Sequence, residues 1–475
     1  MPKHTIIAKD CMPFYNNGKE RHDCLIGEDR KAKGFETLAL FAESVVPLSL
    51  FGNEKKDDDI GNQLAYSPFE NKPIAFKTDQ GVVYQRVWQA GRFVGTTQIK
   101  DTTIEILPRF GIEWLNYILA DVFHFKLVRS GSDERQKGEF NNLIRRILWH
   151  LWVRAFASAD QYGLPKRVIK HTYSGMQIRG HVNIRQSLSP LYKKGHVVSE
   201  YREKDIDDAI CKIVYKAYCI LVNRQFNKTS AIPQIQDSLN ALFRYYQGET
   251  VSVSLNDYKN LGYKSIYLSW KPLVDFSWQI IQQDTLFRQK GSKGDSFSVF
   301  LDMAEIWEAF LRNKLGDAFS KSGWRVLSIE ECTCMIYPGQ FFKRQIIPDI
   351  ILEKDGNYMV FDAKYKLMRG LKSSVNYSDL DRTDLFQIHS YIQYVQHCLG
   401  NVVVGGLLYP ISAQDIDTES WHSNNLFGLE GSNHIPFIVD GIICTDIIGH
   451  FDKKQLEIEV GNMIDRIRET IGETQ

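Results

Sequence analysis

The sequence predicts a multidomain α+β protein: a β-rich N-terminal domain over residues 1–110, a mainly helical middle region over 111–300, and a C-terminal α/β domain over 301–475. Three observations predict it. Short apolar runs separated by turn residues fill the first segment and stop at Pro108. From Trp114 the apolar residues recur at helical spacing. After Leu301 helical and strand patterns alternate. A chain of 475 residues suits two to four domains at roughly 150 residues each.

In the first segment, Gly52-Asn53 reads as a turn and the charged run from Glu54 to Asp59 as a solvated loop. Strands are expected at Ile74–Lys77, Val82–Trp88, Arg92–Thr97 and Thr103–Leu107. Their close spacing suggests a small antiparallel sheet or barrel. In the middle region, Trp114, Leu115, Ile118, Leu119, Val122 and Phe123 mark one helix. Phe140 to Phe156 marks another, with Leu143, Ile144, Ile147, Leu148, Leu151 and Trp152 on one side and Arg145, Arg146 and Arg154 on the remainder. Lys166, Arg167, Lys170 and His171 extend this basic character, which suits a DNA backbone or a solvated helix face equally. A short β segment, GMQIRGHVNI, begins at Gly175, and a helix is expected over Asp205–Asn223.

In the last segment, Asp302 to Leu315 is an amphipathic helix carrying Glu305 and Glu308. Strands follow at Trp324–Ile329, Ile347–Glu353 and Tyr358–Lys364, then a helix over Asp384–Cys398 and a buried strand over Val402–Leu408 that ends at Pro410. A final helix runs from Asp452 to Thr470. The element order is α-β-β-β-α-β.

The chemistry concentrates in IIPDIILEKDGNYMVFDAKYK, Ile346 to Lys366. Lys354-Asp355-Gly356-Asn357 between two apolar runs is a hairpin signal. Asp362 and Lys364, two apart on a strand, share a face, and Asp349 opens the partner strand. Two carboxylates and an amine on one face of a core strand are costly to bury unless their charges meet partners. A divalent cation relieves the repulsion of converging carboxylates, and hard oxygen ligands suit Mg2+, with Mn2+ as a substitute. This layout resembles a PD-(D/E)xK nuclease site. The tripeptide alone is common: Asp29–Lys31, Glu54–Lys56, Asp257–Lys259 and Asp452–Lys454 also carry it, but Pro348-Asp349 is the only Pro-Asp in the chain. Asp349, Asp362 and Lys364 are the expected catalytic residues, with Asp349, Asp362 and Glu308 as metal ligands. Gln387 and Tyr391, one helical turn apart, are the expected support for Lys364 or a phosphate.

Composition narrows the rest. Net charge is +1, so no global basic field announces nucleic acid. No apolar run is long enough to span a bilayer. The eight cysteines form no CxxC pair, which reads as reduced thiols in the cytoplasm and not as a zinc site.

Several segments together resemble the McrC family, the nuclease subunit of McrBC-type, modification-dependent (type IV) restriction systems. They are GRFVGTTQIKDTTIEILPRF, MQIRGHVNIRQSL, DIDDAICKIVYKAY, MAEIWEAFL, the PD…DAK hairpin, DLFQIHSYIQYV and GGLLYP, in that order. The resemblance implies a restriction-endonuclease-like C-terminal domain and Mg2+-dependent cleavage of double-stranded DNA. It also implies a McrB-like AAA+ partner, a GTPase or ATPase hexamer, into whose ring the N-terminal region docks and whose hydrolysis it stimulates. Consistently, the chain holds no GxxxxGK[ST] phosphate loop, so no nucleotide is expected on this chain. A stand-alone repair or recombination nuclease and a catalytically silent adaptor that activates a ring NTPase remain as alternatives.

Overall fold

The computed structural model describes residues 4–16, 24–27, 34–43, 63–70, 74–78, 81–123, 139–222, 233–289, 298–328, 331–332, 336–337, 344–366, 381–415, 435–446 and 448–473. The expected turn at Gly52-Asn53 and the charged run after it lie outside these residues. The chain forms two units: Met1–Phe140 together with Phe287–Gln475, and Asn141–Leu286. The sequence boundaries at 110 and 300 do not coincide with this division. Among the described residues, no helix is long and apolar enough to cross a membrane.

The first unit contains two five-stranded sheets. The first sheet is built from β1 (His4–Lys9), β2 (Tyr15–Asn16), β3 (Phe93–Ile99), β4 (Thr102–Leu107) and β5 (Val299–Asp302), in the order β5-β3-β4-β1-β2. It is mixed, because β1 runs parallel to β4 while the other neighbours are antiparallel. The expectation of a local antiparallel sheet missed β1 and β5, which reach this sheet from the chain start and from beyond residue 298. Helix α1 (Phe35–Ala42) adds Leu38 and Phe41 to a core that includes Ile6, Phe14, Trp88, Ile104, Ile106 and Phe300.

After β4 comes α2 (Ile112–Phe123), which packs on α3 (Met303–Ser320). Asp302 ends β5 and caps α3: its side chain accepts from Ala304 N at 2.9 Å and also receives Arg92 Nη2 at 2.9 Å. A Lys314–Asp121 ion pair joins α3 to α2.

The second sheet holds β6 (Arg325–Val326), β7 (Ile350–Lys354), β8 (Asn357–Ala363), β9 (Asn401–Ser412) and β10 (Phe437–Thr445), in that spatial order. The β7–β8 hairpin turns on Asp355 and Gly356, with φ of 50° and 76°. Both central residues are left-handed, as a tight two-residue hairpin turn requires. β8–β9 and β9–β10 are parallel. Helix α4 (Arg382–Cys398) covers one face with Ile388, Tyr391, Ile392 and Val395, packed on Ile351, Val360, Leu407 and Tyr409. Helices α3 and α5 (Lys453–Ile471), in contact with each other, cover the opposite face.

Two expectations differ here. β10 was not anticipated, and β9 does not stop at Pro410 but continues to Ser412. The reason is directional. Leu408 turns its carbonyl to Lys364 N, so Pro410, two residues on, turns its absent N–H to the same side, past the end of β8.

The Gly-Gly of GGLLYP is a packing device. A Cβ on Gly405 would lie 2.2 Å from Ile392 Cδ1 of α4, and one on Gly406 would lie 2.4 Å from the Ile438 carbonyl oxygen.

The second unit is mainly helical, with the helix Glu139–Ala159 entering it and Asp208–Leu221, Pro233–Tyr245 and Trp270–Gln289 following. Trp152 donates to Ser277 Oγ at 3.0 Å inside its core. Arg145, expected on the basic face, is instead buried. The basic segment at Lys166 is not helical. Lys166–Gly175 is a strand paired antiparallel with Val197–Ile206, and of GMQIRGHVNI only His181–Val182 adds a third strand. The β-branched residues Val168, Ile169 and Thr172 carry the strand signal that the charges obscured. Beyond this ribbon, the helix Ile184–Lys194 turns polar Ser187 inward, bonded to Val198 N at 2.8 Å, and exposes Ile184, Leu188, Leu191 and Tyr192.

Gly406→Ala is expected to destabilise the protein by about 2 kcal/mol, because the obstructing atom is backbone and cannot rotate away. A lower urea midpoint at unchanged slope checks this.

Candidate active site

The hairpin register sets the site. Ile350 pairs with Phe361 and Ile351 with Val360, so Asp349, just before β7, comes opposite Asp362. Ile351 and Val360 both face α4, and strand alternation puts Asp349 and Asp362 on that side too. Both aspartates are buried. Asp349 Oδ2 accepts the Ala363 N–H at 2.9 Å, which ties it to the strand bearing its partner. Arg312 of α3 holds the Asp349 backbone, donating to its carbonyl at 2.6 Å.

Burial, then the charge of Asp349, push the Asp362 carboxyl well above its ordinary 3.8, and Lys364 offsets this only in part. A hydrogen bond between the two carboxyls favours the protonated form further. Asp362 Oδ2 lies 2.8 Å from Lys364 Nζ yet makes no hydrogen bond of regular geometry. Lys364 behaves in the opposite way. Burial alone would lower its ammonium, but Asp362, Asp384 and Asp349 outweigh burial and raise it. Lys364 is therefore a cation at neutral pH, able to donate hydrogen bonds but not to take a proton.

Helix α4 meets the lysine. Lys364 Nζ donates to Gln387 Oε1 at 2.8 Å, and Gln387 Nε2 donates to the Tyr391 hydroxyl at 2.7 Å. All five residues Asp349, Asp362, Lys364, Gln387 and Tyr391 thus come together. The sixth, Glu308, does not join them in a common acidic group. It is half-buried on α3, where its charge bears on the Cys332 thiol. Among the described residues, no three His, Cys, Asp or Glu side chains gather to hold a metal.

Sequence reasoning missed Asp384. It is buried on the first turn of α4, 3.3 Å from Lys364 Nζ, and accepts from Lys366 Nζ at 2.8 and 2.9 Å. Its spacing of three before Gln387 places it on the same helix face, which is the signal that would have found it. Asp381 caps α4, accepting from Thr383 N at 2.9 Å, and also approaches Lys366 at 3.4 Å.

The donor set suits a hard divalent cation. Two buried carboxylates face each other, one of them driven toward protonation by burial and then by the charge of the other. Mg2+ commonly takes one or two protein carboxylates and fills its remaining positions with water and phosphate. Asp349 and Asp362 are the residues that would hold it.

Residues 88–410 match the profile of the McrBC 5-methylcytosine restriction system component. The chain belongs to that family. The matched McrBC segment contains Asp349, Asp362, Lys364, Asp384, Gln387 and Tyr391. Two solved structures are similar to the chain. One is a half-complex from the tetradecameric assembly of Thermococcus gammatolerans McrB AAA+ hexamers with bound McrC, at 14% identity and a TM-score of 0.45, covering 82% of this chain and 84% of that one. The other is the Thermococcus gammatolerans McrBC complex, at 12% identity and a TM-score of 0.35, covering 66% and 88%. No curated protein matches the chain.

The folded chain holds the Asp362 proton more tightly than the unfolded chain does. Stability in chelator should therefore fall as pH rises from 3.8 through the folded value. Asp362→Asn removes the repulsion and should stabilise the chelated protein at alkaline pH by about 1 kcal/mol or more. Thermal denaturation in EDTA at acidic and alkaline pH reads both effects; a loss of stability in the variant at alkaline pH contradicts the assignment.

Proposed function

We propose that this chain is the DNA endonuclease subunit of a modification-dependent restriction complex. Its C-terminal part acts as a PD-(D/E)xK nuclease on double-stranded DNA, in the cytoplasm, assembled with a McrB-like AAA+ GTPase or ATPase hexamer whose hydrolysis it stimulates. The observation that carries this reading is the facing pair Asp349 and Asp362 with the Lys364 ammonium 2.8 Å from Asp362. Membership of the McrBC family supports the restriction setting.

Asp349 and Asp362 would hold Mg2+ or Mn2+, which when bound polarises a phosphoryl oxygen and makes a coordinated water more acidic. Lys364, kept protonated by its acidic neighbours, donates to the attacking water or to the charge that builds on the phosphate. Gln387, anchored by Tyr391, fixes where that ammonium points. Asp384 shares Lys364 with Asp362 and holds Lys366, whose half-exposed side chain is available to the DNA backbone. The complete Asp349, Asp362 and Lys364 set weighs against a silent adaptor.

The resemblance assigns ring docking to the N-terminal region. The exposed apolar surface of the second unit offers a further candidate. Tyr192 is 94% exposed and Met176 81% exposed, with Leu188 and Leu191 beside Tyr192 on one helix. Exposed apolar side chains clustered on one helix face mark a contact surface more often than scattered ones do.

Asp362→Ala and Lys364→Ala should each slow DNA cleavage by the reconstituted complex roughly a hundredfold or more while stimulation of the partner's NTP hydrolysis persists. Cleavage at the wild-type rate by the Asp362→Ala complex sinks the nuclease assignment. A chain carrying Leu188→Glu and Tyr192→Glu should keep its melting temperature but bind the partner roughly a hundredfold more weakly by titration calorimetry; undiminished binding removes the ribbon tip from the interface.

A further inference from the structure

Behind the candidate active site lies a buried charge pair that the mechanism does not use. Asp10 and Arg109 follow β1 and β4, the parallel strands of the first sheet. Asp10 N donates to the Leu107 carbonyl at 2.9 Å, and Arg109 N donates to Asp10 Oδ1 at 2.5 Å. The Arg109 guanidinium is buried and lies over two rings, 4.8 Å from the Phe110 centroid and 4.3 Å from that of Tyr365. Its Nη2 donates to the Lys366 carbonyl at 3.3 Å. Trp114 packs on the same two rings, 4.8 Å from Phe110 and 6.4 Å from Tyr365.

For stability alone this is a poor arrangement. Among the described residues, Arg109 Nε and Nη1 make no hydrogen bond, the nearest Arg109–Asp10 side-chain approach is 3.9 Å, and the Asp10 carboxyl meets the Tyr365 hydroxyl without a hydrogen bond of regular geometry. Buried charges left partly unsatisfied cost more than apolar packing of the same volume. What the pair achieves is geometric. Tyr365 sits between Lys364 and Lys366, and its ring points away from the side on which both ammoniums meet α4. The β7 pairing ends at Ile350, and the last β9 bond of this strand is Lys364 N to the Leu408 carbonyl. Past that point, Arg109 grips the chain through the Tyr365 ring and the Lys366 carbonyl.

We propose that Asp10 and Arg109 are positioning residues for Lys364, so that the first sheet is part of the catalytic apparatus of the second. The inference rests on the reading of Lys364 as the catalytic lysine. The first sheet holds the strand end from behind while Gln387 and Asp384 hold its two ammoniums in front. The clamp acts on placement, and substrate affinity should not depend on it.

The test uses the full chain, with hydrogen–deuterium exchange on the chain alone and DNA cleavage in the complex with the McrB-like partner. In Arg109→Met, exchange over Ala363–Lys366 should rise about tenfold while the rest of the β7–β8 hairpin is unaltered. The kcat for cleavage should fall about tenfold at unchanged KM, and Arg109→Lys, which keeps the cation over the rings, should recover part of it. If Arg109→Met does not fold, Asp10→Asn, which keeps the acceptor for Arg109 N, takes its place with the same expected signs. Exchange and kcat both at wild-type values in a folded variant overturn the clamp. So does a rise in exchange spread evenly over both sheets, which marks a merely structural role. A wild-type complex that does not cleave DNA defeats the nuclease reading instead, and local exchange at Ala363–Lys366 then decides the clamp alone.

Discussion

Two carboxylates forced to face each other across an antiparallel pair are the constraint around which the second sheet is organised. Left as two anions in an apolar interior, Asp349 and Asp362 would repel. The protein does not remove the conflict; it surrounds it. A backbone N–H steadies Asp349, a lysine stands against Asp362, and a second acid, Asp384, keeps that lysine charged. Each of these contacts needs the next. Lys364 without Gln387 and Asp384 could swing out of the sheet, and Asp384 without two lysines would itself be a buried unpaired charge. Local repulsion is tolerated because a helix, a hairpin and a strand end share its cost, as is common where binding geometry matters more than stability.

Much of this was legible because it depends on short-range rules. The Asp-Gly turn fixes the hairpin register, and register decides that Asp349 and Asp362 oppose each other. Helical spacing brings Gln387 to Lys364 and Tyr391 to Gln387. The same spacing adds Asp384, three residues before Gln387 on the first turn of the helix. Glu308 differs: its helix is legible from the apolar spacing, but no sequence pattern says whether its carboxylate gathers with the aspartates, and among the described residues no group of three acids forms. Pro410 shows another limit. Proline ends a strand only when its missing N–H faces a neighbour, and whether a neighbour is there depends on where β8 stops.

In the N-terminal segment, the local strands were found and the non-local ones were not. β5 is short, and the partners of both β1 and β5 lie far away in sequence, so alternation alone could not place them. The basic run at Lys166 failed for a different reason. Its charges suit a solvated helix face, while the β-branched residues between them report a strand of a ribbon.

The position of β5 has a consequence for how the chain is made. During synthesis, β3 emerges early, yet the strand that completes its outer edge is not available until residue 302 has left the ribosome. Throughout that interval the nascent first sheet presents an open row of backbone donors and acceptors, the kind of edge that recruits foreign strands. The newborn protein is thus most vulnerable to mispairing while its second unit is being translated, and it closes that edge only as the helix capped by Asp302 begins.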